Sequence, residues 1–93
     1  MKFWQSTAFN DPTELPEIAR VAEQAGFEGI LVVEHLFVPK VYDPAYLYTD
    51  HGRPDFDEST FFPDPWVTIA TLAAQTTTLK FCTLIQILPL HHP

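Results

Sequence analysis

The first acid–base groups to follow a wholly apolar stretch are Glu34 and His35, placed directly after Gly29-Ile30-Leu31-Val32-Val33. A strand covered on both faces reads as a continuous Ile/Leu/Val run rather than an alternating one. In β/α folds, ligands gather at the C-terminal ends of such strands. An imidazole there, with an ordinary pKa of about 6.5, can take or give a proton near neutral pH. Neighbouring side chains on an extended chain point to opposite faces, so Glu34 does not share a pocket with His35 unless the strand has bent. That leaves Glu34 two readings: direct participation, or a contact on the helix side that orients other groups.

Three further sets of residues carry potential chemistry. Thr83, near the end of a second apolar run, brings a hydroxyl to a strand end, while Cys82 beside it has no identifiable base and reads as a small buried filler. His91 and His92 are adjacent rather than three or four apart, so they do not make a helical metal pair and read as structural. His51, in His51-Gly52-Arg53-Pro54, reads as a loop residue, with Arg53 able to reach an anionic group.

The elements that must hold these groups are legible. Lys2 to Thr7 reads as a short strand, and Asn10-Asp11-Pro12-Thr13 supplies the cap and proline of a helix start. Leu15, Ile18, Ala19, Ala22 and Ala25 then form an apolar stripe, with Glu14, Glu17, Arg20, Glu23 and Gln24 facing mostly outward and Gly26 closing the helix. A strand from about Gly29 to Val33 completes a βαβ unit, for which a right-handed crossover is expected. From Leu36 to Asp64 the chain has four prolines (Pro39, Pro44, Pro54, Pro63), seven aromatics from Phe37 to Phe62 and no sustained period. Loops of that length are commonly lids or binding loops, and the rings read as pins onto the rim. Asp64-Pro65 caps a second helix with Trp66, Ile69, Ala70 and Ala73 on its buried stripe, ending near Thr76. Leu79 to Ile85 reads as a third strand, and Leu88-Pro89-Leu90-His91-His92-Pro93 as the approach to a third helix.

Composition narrows the class. With 93 residues, 46% of them hydrophobic, the chain is a globular piece of one domain at most. Five Lys and Arg against twelve Asp and Glu leave no cationic surface for nucleic acid or anionic lipid. The N-terminus lacks the apolar core of a signal peptide and no run is long enough to span a membrane, so a cytoplasmic location is expected. Three strands with two crossovers leave an edge uncovered, whereas a closed barrel takes roughly 250 residues. The expectation is an N-terminal fragment, residues 1–93, of a single (β/α)8 domain.

Taken together and in order, Ala22-Glu23-Gln24-Ala25-Gly26-Phe27-Glu28-Gly29, Glu34-His35-Leu36, Asp64-Pro65-Trp66, Ala73-Ala74-Gln75-Thr76, Thr83 and Leu88-Pro89-Leu90-His91-His92-Pro93 resemble the bacterial luciferase-like family. Its members are flavin- or coenzyme F420-dependent (β/α)8 oxidoreductases. The resemblance implies that His35 lies beside the reactive part of the ring, with Glu34 at a neighbouring acidic position. It also implies that Thr83, Leu84 and Ile85 form a bulge with a non-proline cis peptide, against which the ring rests. Two reactions follow from it: monooxygenation with O2 and reduced FMN delivered by a separate flavin reductase, or hydride transfer with coenzyme F420. A small-molecule substrate and a homodimer are further implications. Two other readings stay open, a non-catalytic flavin-binding subunit and a metal-dependent barrel isomerase or hydrolase. The second is weakened by Ser6-Thr7-Ala8-Phe9, where a common hydrolase version places paired histidines.

Overall fold

In the computed structural model, which describes residues 1–43 and 45–92, three parallel strands form one sheet in the order β1-β2-β3. The strands are β1 (Trp4–Ser6), β2 (Gly29–Val32) and β3 (Lys80–Thr83); the crossovers carry α1 (Leu15–Gln24) and α2 (Pro65–Ala73). Pro44 and Pro93, read above as part of the loop and of the approach to a third helix, lie outside the described residues.

The strands are shorter than their apolar runs suggest, but pairing continues past them. Glu28 N–H donates to Phe3 O at 2.8 Å and Thr7 N–H to Leu31 O at 3.0 Å, extending the β1 ladder at both ends. Leu84 N–H likewise donates to Val32 O at 2.7 Å, one residue after β3 stops. The peptide joining Leu84 to Ile85 is cis, and β3 itself ends at Thr83, short of the expected Ile85.

Helix starts also differ in detail. Asp11 accepts from Thr13 N–H at 2.8 Å, but what it caps is a 3-10 turn, Pro12–Glu14, and α1 begins only at Leu15. Pro16, in its first turn, has no N–H to lose there, so the helix tolerates it. Asp64 caps α2 through Val67 N–H at 2.9 Å, and α2 ends at Ala73 rather than near Thr76.

One face of the sheet is covered by the helices. Ile30 and Val32 are 0% and 1% exposed and pack with Leu15, Ala19, Ala22 and Leu72. Register places Gln5 and Phe81 beside Ile30, and Thr83 beside Val32, so these share the helix-covered face. Leu31 and Cys82 point to the other face; Cys82 is exposed rather than buried, because no layer covers that face among the described residues. At the start of β2, Gly29 has no room for a side chain: an added Cβ would collide with Lys80 O and the Trp4 ring.

The lower rim of the sheet is tied by Glu23. Its Oε1 accepts from three backbone amides, Thr77 at 2.7 Å, Thr78 at 2.5 Å and Leu79 at 3.2 Å, and from Thr78 Oγ1 at 3.0 Å. Those bonds, led by the Thr78 amide, hold the Glu23 carboxyl below its usual range. The outward helix position thus conceals a staple between α1 and the turn into β3.

Candidate functional site

The C-terminal rim gathers the ends of all three strands and the loop 36–64. Alternation along β2 continues past its end: Glu34 shares the buried side with Ile30 and Val32 and is 5% exposed, while His35 emerges on the opposite side.

His35 is flanked by two phenylalanines from the long loop. Its ring centroid lies 4.6 Å from Phe56 and 4.6 Å from Phe62, with the planes tilted by 53° and 52°. Phe9, following β1, closes the group at 6.0 Å from Phe56 and 6.3 Å from Phe62. Its backbone is in the left-handed region, φ 64°, a conformation uncommon for a bulky side chain. Desolvation by this packing pulls the His35 pKa below its ordinary value, against the opposing charge of Glu34. His35 is therefore neutral at pH 7, the form that accepts a proton.

Beside it opens a largely apolar cavity of about 260 Å³, lined by His35, Tyr42, Tyr46, Phe56, Ile87 and Leu90 among others. Lys40, His51 and Arg53 line an adjoining cavity of about 390 Å³, which Asp57 and Glu58 also line. Opposite charges there offset one another, so no concentrated positive field results.

Glu34 is engaged on both oxygens. Ile87 N–H donates to Oε2 at 2.9 Å and His91 Nε2 donates to Oε1 at 2.7 Å, with the Glu34 side chain 2% exposed. Ile87 and His91 are the residues at the two ends of a short 3-10 turn, Leu88–Leu90, which stands where the approach to a third helix is expected.

The structure thus brings His35 and the Leu84-Ile85 segment to one rim, and places Glu34 and Thr83 on the helix-covered side of the sheet. Phe9, Phe56 and Phe62 are missed by reading the sequence, since a loop without a period gives no register to align them with His35. The Glu34–His91 pair is missed as well, being 57 residues apart.

Comparison with known proteins agrees with this architecture. A family model described as luciferase-like monooxygenase matches residues 3–93. The chain belongs to that family. Its three-stranded parallel sheet with crossover helices is the opening of the family's barrel. Among relatives, it is 31% identical over its whole length to the uncharacterized proteins Rv0940c of Mycobacterium tuberculosis and Mb0965c of Mycobacterium bovis, of which it covers 32%. The chain thus spans about a third of the length of the curated relatives it matches. No solved structure gives a significant match. Among the described residues, no helix is long and apolar enough to cross a membrane.

Proposed function

We propose that the whole protein is a luciferase-like oxidoreductase that works with coenzyme F420 or FMN on a small, neutral, largely apolar substrate, with His35 as its acid–base group. The observation that carries this reading is the state of His35: an imidazole at the strand mouth, kept neutral by aromatic packing and opening on an apolar cavity. Leu84 and Ile85, 47% and 64% exposed, follow β3 on the rim where His35 follows β2, and an exposed apolar pair of that kind suits a flat ring. When bound, the ring would supply hydride transfer or, with O2, oxygenation.

The chain's own residues have separable tasks. His35 accepts the proton that a substrate hydroxyl or acidic C–H releases. Phe56 and Phe62 flank the imidazole and remove part of its hydration, and the apolar wall of the cavity selects against charged substrates. The reading extends to a cytoplasmic homodimer, served by a flavin reductase in the FMN case.

The test is titration of the full-length protein with FMN and, separately, with coenzyme F420, followed by absorbance and repeated with His35→Ala. One of the two should bind, the variant should bind it comparably, and turnover should fall by about 100-fold or more. Binding of neither by the wild type overturns the reading. Binding with turnover untouched by the substitution removes His35 from the chemistry.

A further inference from the structure

We infer that Glu34 is a positioning residue, which with His91 clamps the segment 84–87 to the end of β2 and so sets that segment's distance from His35. The inference rests on the functional reading above, and it departs from a directly catalytic Glu34.

Three observations carry it. First, each carboxylate oxygen accepts a hydrogen bond from the protein, and the side chain is only 2% exposed, which keeps it away from a substrate. Second, the groups that occupy them come from the two ends of one turn: the Ile87 amide precedes Leu88–Leu90 and His91 follows it. Pro89 presets that turn, and Leu90 N–H donates to Ile87 O at 2.9 Å, so the turn is braced internally. Third, the other end of the segment is already fixed, since Leu84 N–H donates to Val32 O at 2.7 Å. Residues 84 and 87 are thus each held by β2 or its continuation, at Val32 and Glu34, and His35 is the next residue along.

A buried carboxylate with two donors is well suited to this. Charge-assisted bonds are shorter and roughly twice as strong as neutral ones, and removing one partner leaves the other buried without compensation. His91, with its side chain 28% exposed, closes the pair from the solvent side.

The experiment compares Glu34→Ala, Glu34→Gln, His91→Ala and the Glu34→Ala/His91→Ala double variant in the full-length protein, at a temperature where all remain folded by circular dichroism. Whichever of FMN and coenzyme F420 the wild type binds is titrated into each. Loss of Glu34 or of His91 should weaken binding by about 10-fold or more, and the double variant should be no worse than the weaker single one. Glu34→Gln, which retains an acceptor for the Ile87 amide, should recover most of the loss. If Glu34→Gln binds as weakly as Glu34→Ala while His91→Ala matches wild type, the Glu34–His91 pair is not a clamp and the inference is overturned. Unchanged affinity in every variant, with only a lowered Tm, overturns it too. Amide exchange of the unliganded protein separates this outcome from failure of the functional reading. Should the wild type bind neither cofactor, faster exchange at Ile87 and Leu88 in Glu34→Ala, with β2 unaffected, still upholds the clamp, and unchanged exchange ends it.

Discussion

Two glutamates at opposite ends of one small sheet are used in different ways. Glu23, at the lower rim, sits on the surface of α1 and gathers three amides of the turn into β3 on one oxygen. Glu34, at the upper rim, is buried and divides its two oxygens between an amide and an imidazole. Both join an earlier crossover to the third strand's surroundings. The lower carboxylate replaces missing partners of a loop whose backbone amides would otherwise need water. The upper one borders His35, the cavity and the Leu84-Ile85 pair. On the proposed function, the lower rim serves fold stability and the upper one the placement of functional groups, a division common to barrels of parallel strands.

This division is open to challenge between the rims, at each rim, and by pH. The largest effect is expected midway: Leu72→Ala, at a site 1% exposed in the shared core, should lower stability by about 2–5 kcal/mol. Activity per folded molecule of the full-length protein should be retained, as chemical denaturation combined with active-site titration can show. Glu23→Ala comes next. Its carboxyl has a depressed pKa, so its contribution is present above its ordinary value of 4.5 and disappears as pH falls through the lower folded-state value. The variant should therefore melt a few degrees below wild type at pH 7 and converge with it in strong acid, with turnover unchanged throughout. Lost turnover at pH 7 would erase the contrast between the rims. The smallest effect concerns His35, whose pKa lies below 6.5 because desolvation outweighs the nearby charge. As a base it must be unprotonated, so kcat/KM should rise with pH through an ionisation below 6.5 and be level by pH 7. An inflection above 7 would contradict a partly desolvated imidazole.

How much of this was legible depends on whether partners were local. The β2 run stands out because its residues are apolar without alternation, α1 because of its apolar stripe and α2 because of its cap. The α2 stripe expected at Trp66, Ile69, Ala70 and Ala73 is overturned, since the helix buries Pro65, Thr68 and Leu72 and leaves Trp66 55% exposed. The apolar run predicts a strand to Ile85 where β3 ends at Thr83, since Leu84 and Ile85 are as apolar as the strand before them; only the family resemblance marks the break there. Glu23 looked like a solvated helix position because its partners are backbone amides 54 to 56 residues away, which have no side-chain signature. Within the long loop, the aromatic count was evident but the choice of Phe56 and Phe62 as the neighbours of His35 required the folded path. Neighbour parity on the strand foreshadowed the separation of Glu34 from His35, and the structure supplied what Glu34 holds instead.

Gly29 gives the sheet one further property. Because the Lys80 carbonyl and the Trp4 indole both occupy the space where a side chain would begin, a saturation-mutagenesis scan should find this position nearly as intolerant as His35, though for a different reason. Selection for folded protein alone would already empty its column, whereas the column at His35 would empty only under selection for turnover. The two screens run side by side would distinguish an architectural requirement from a chemical one without any ligand in hand.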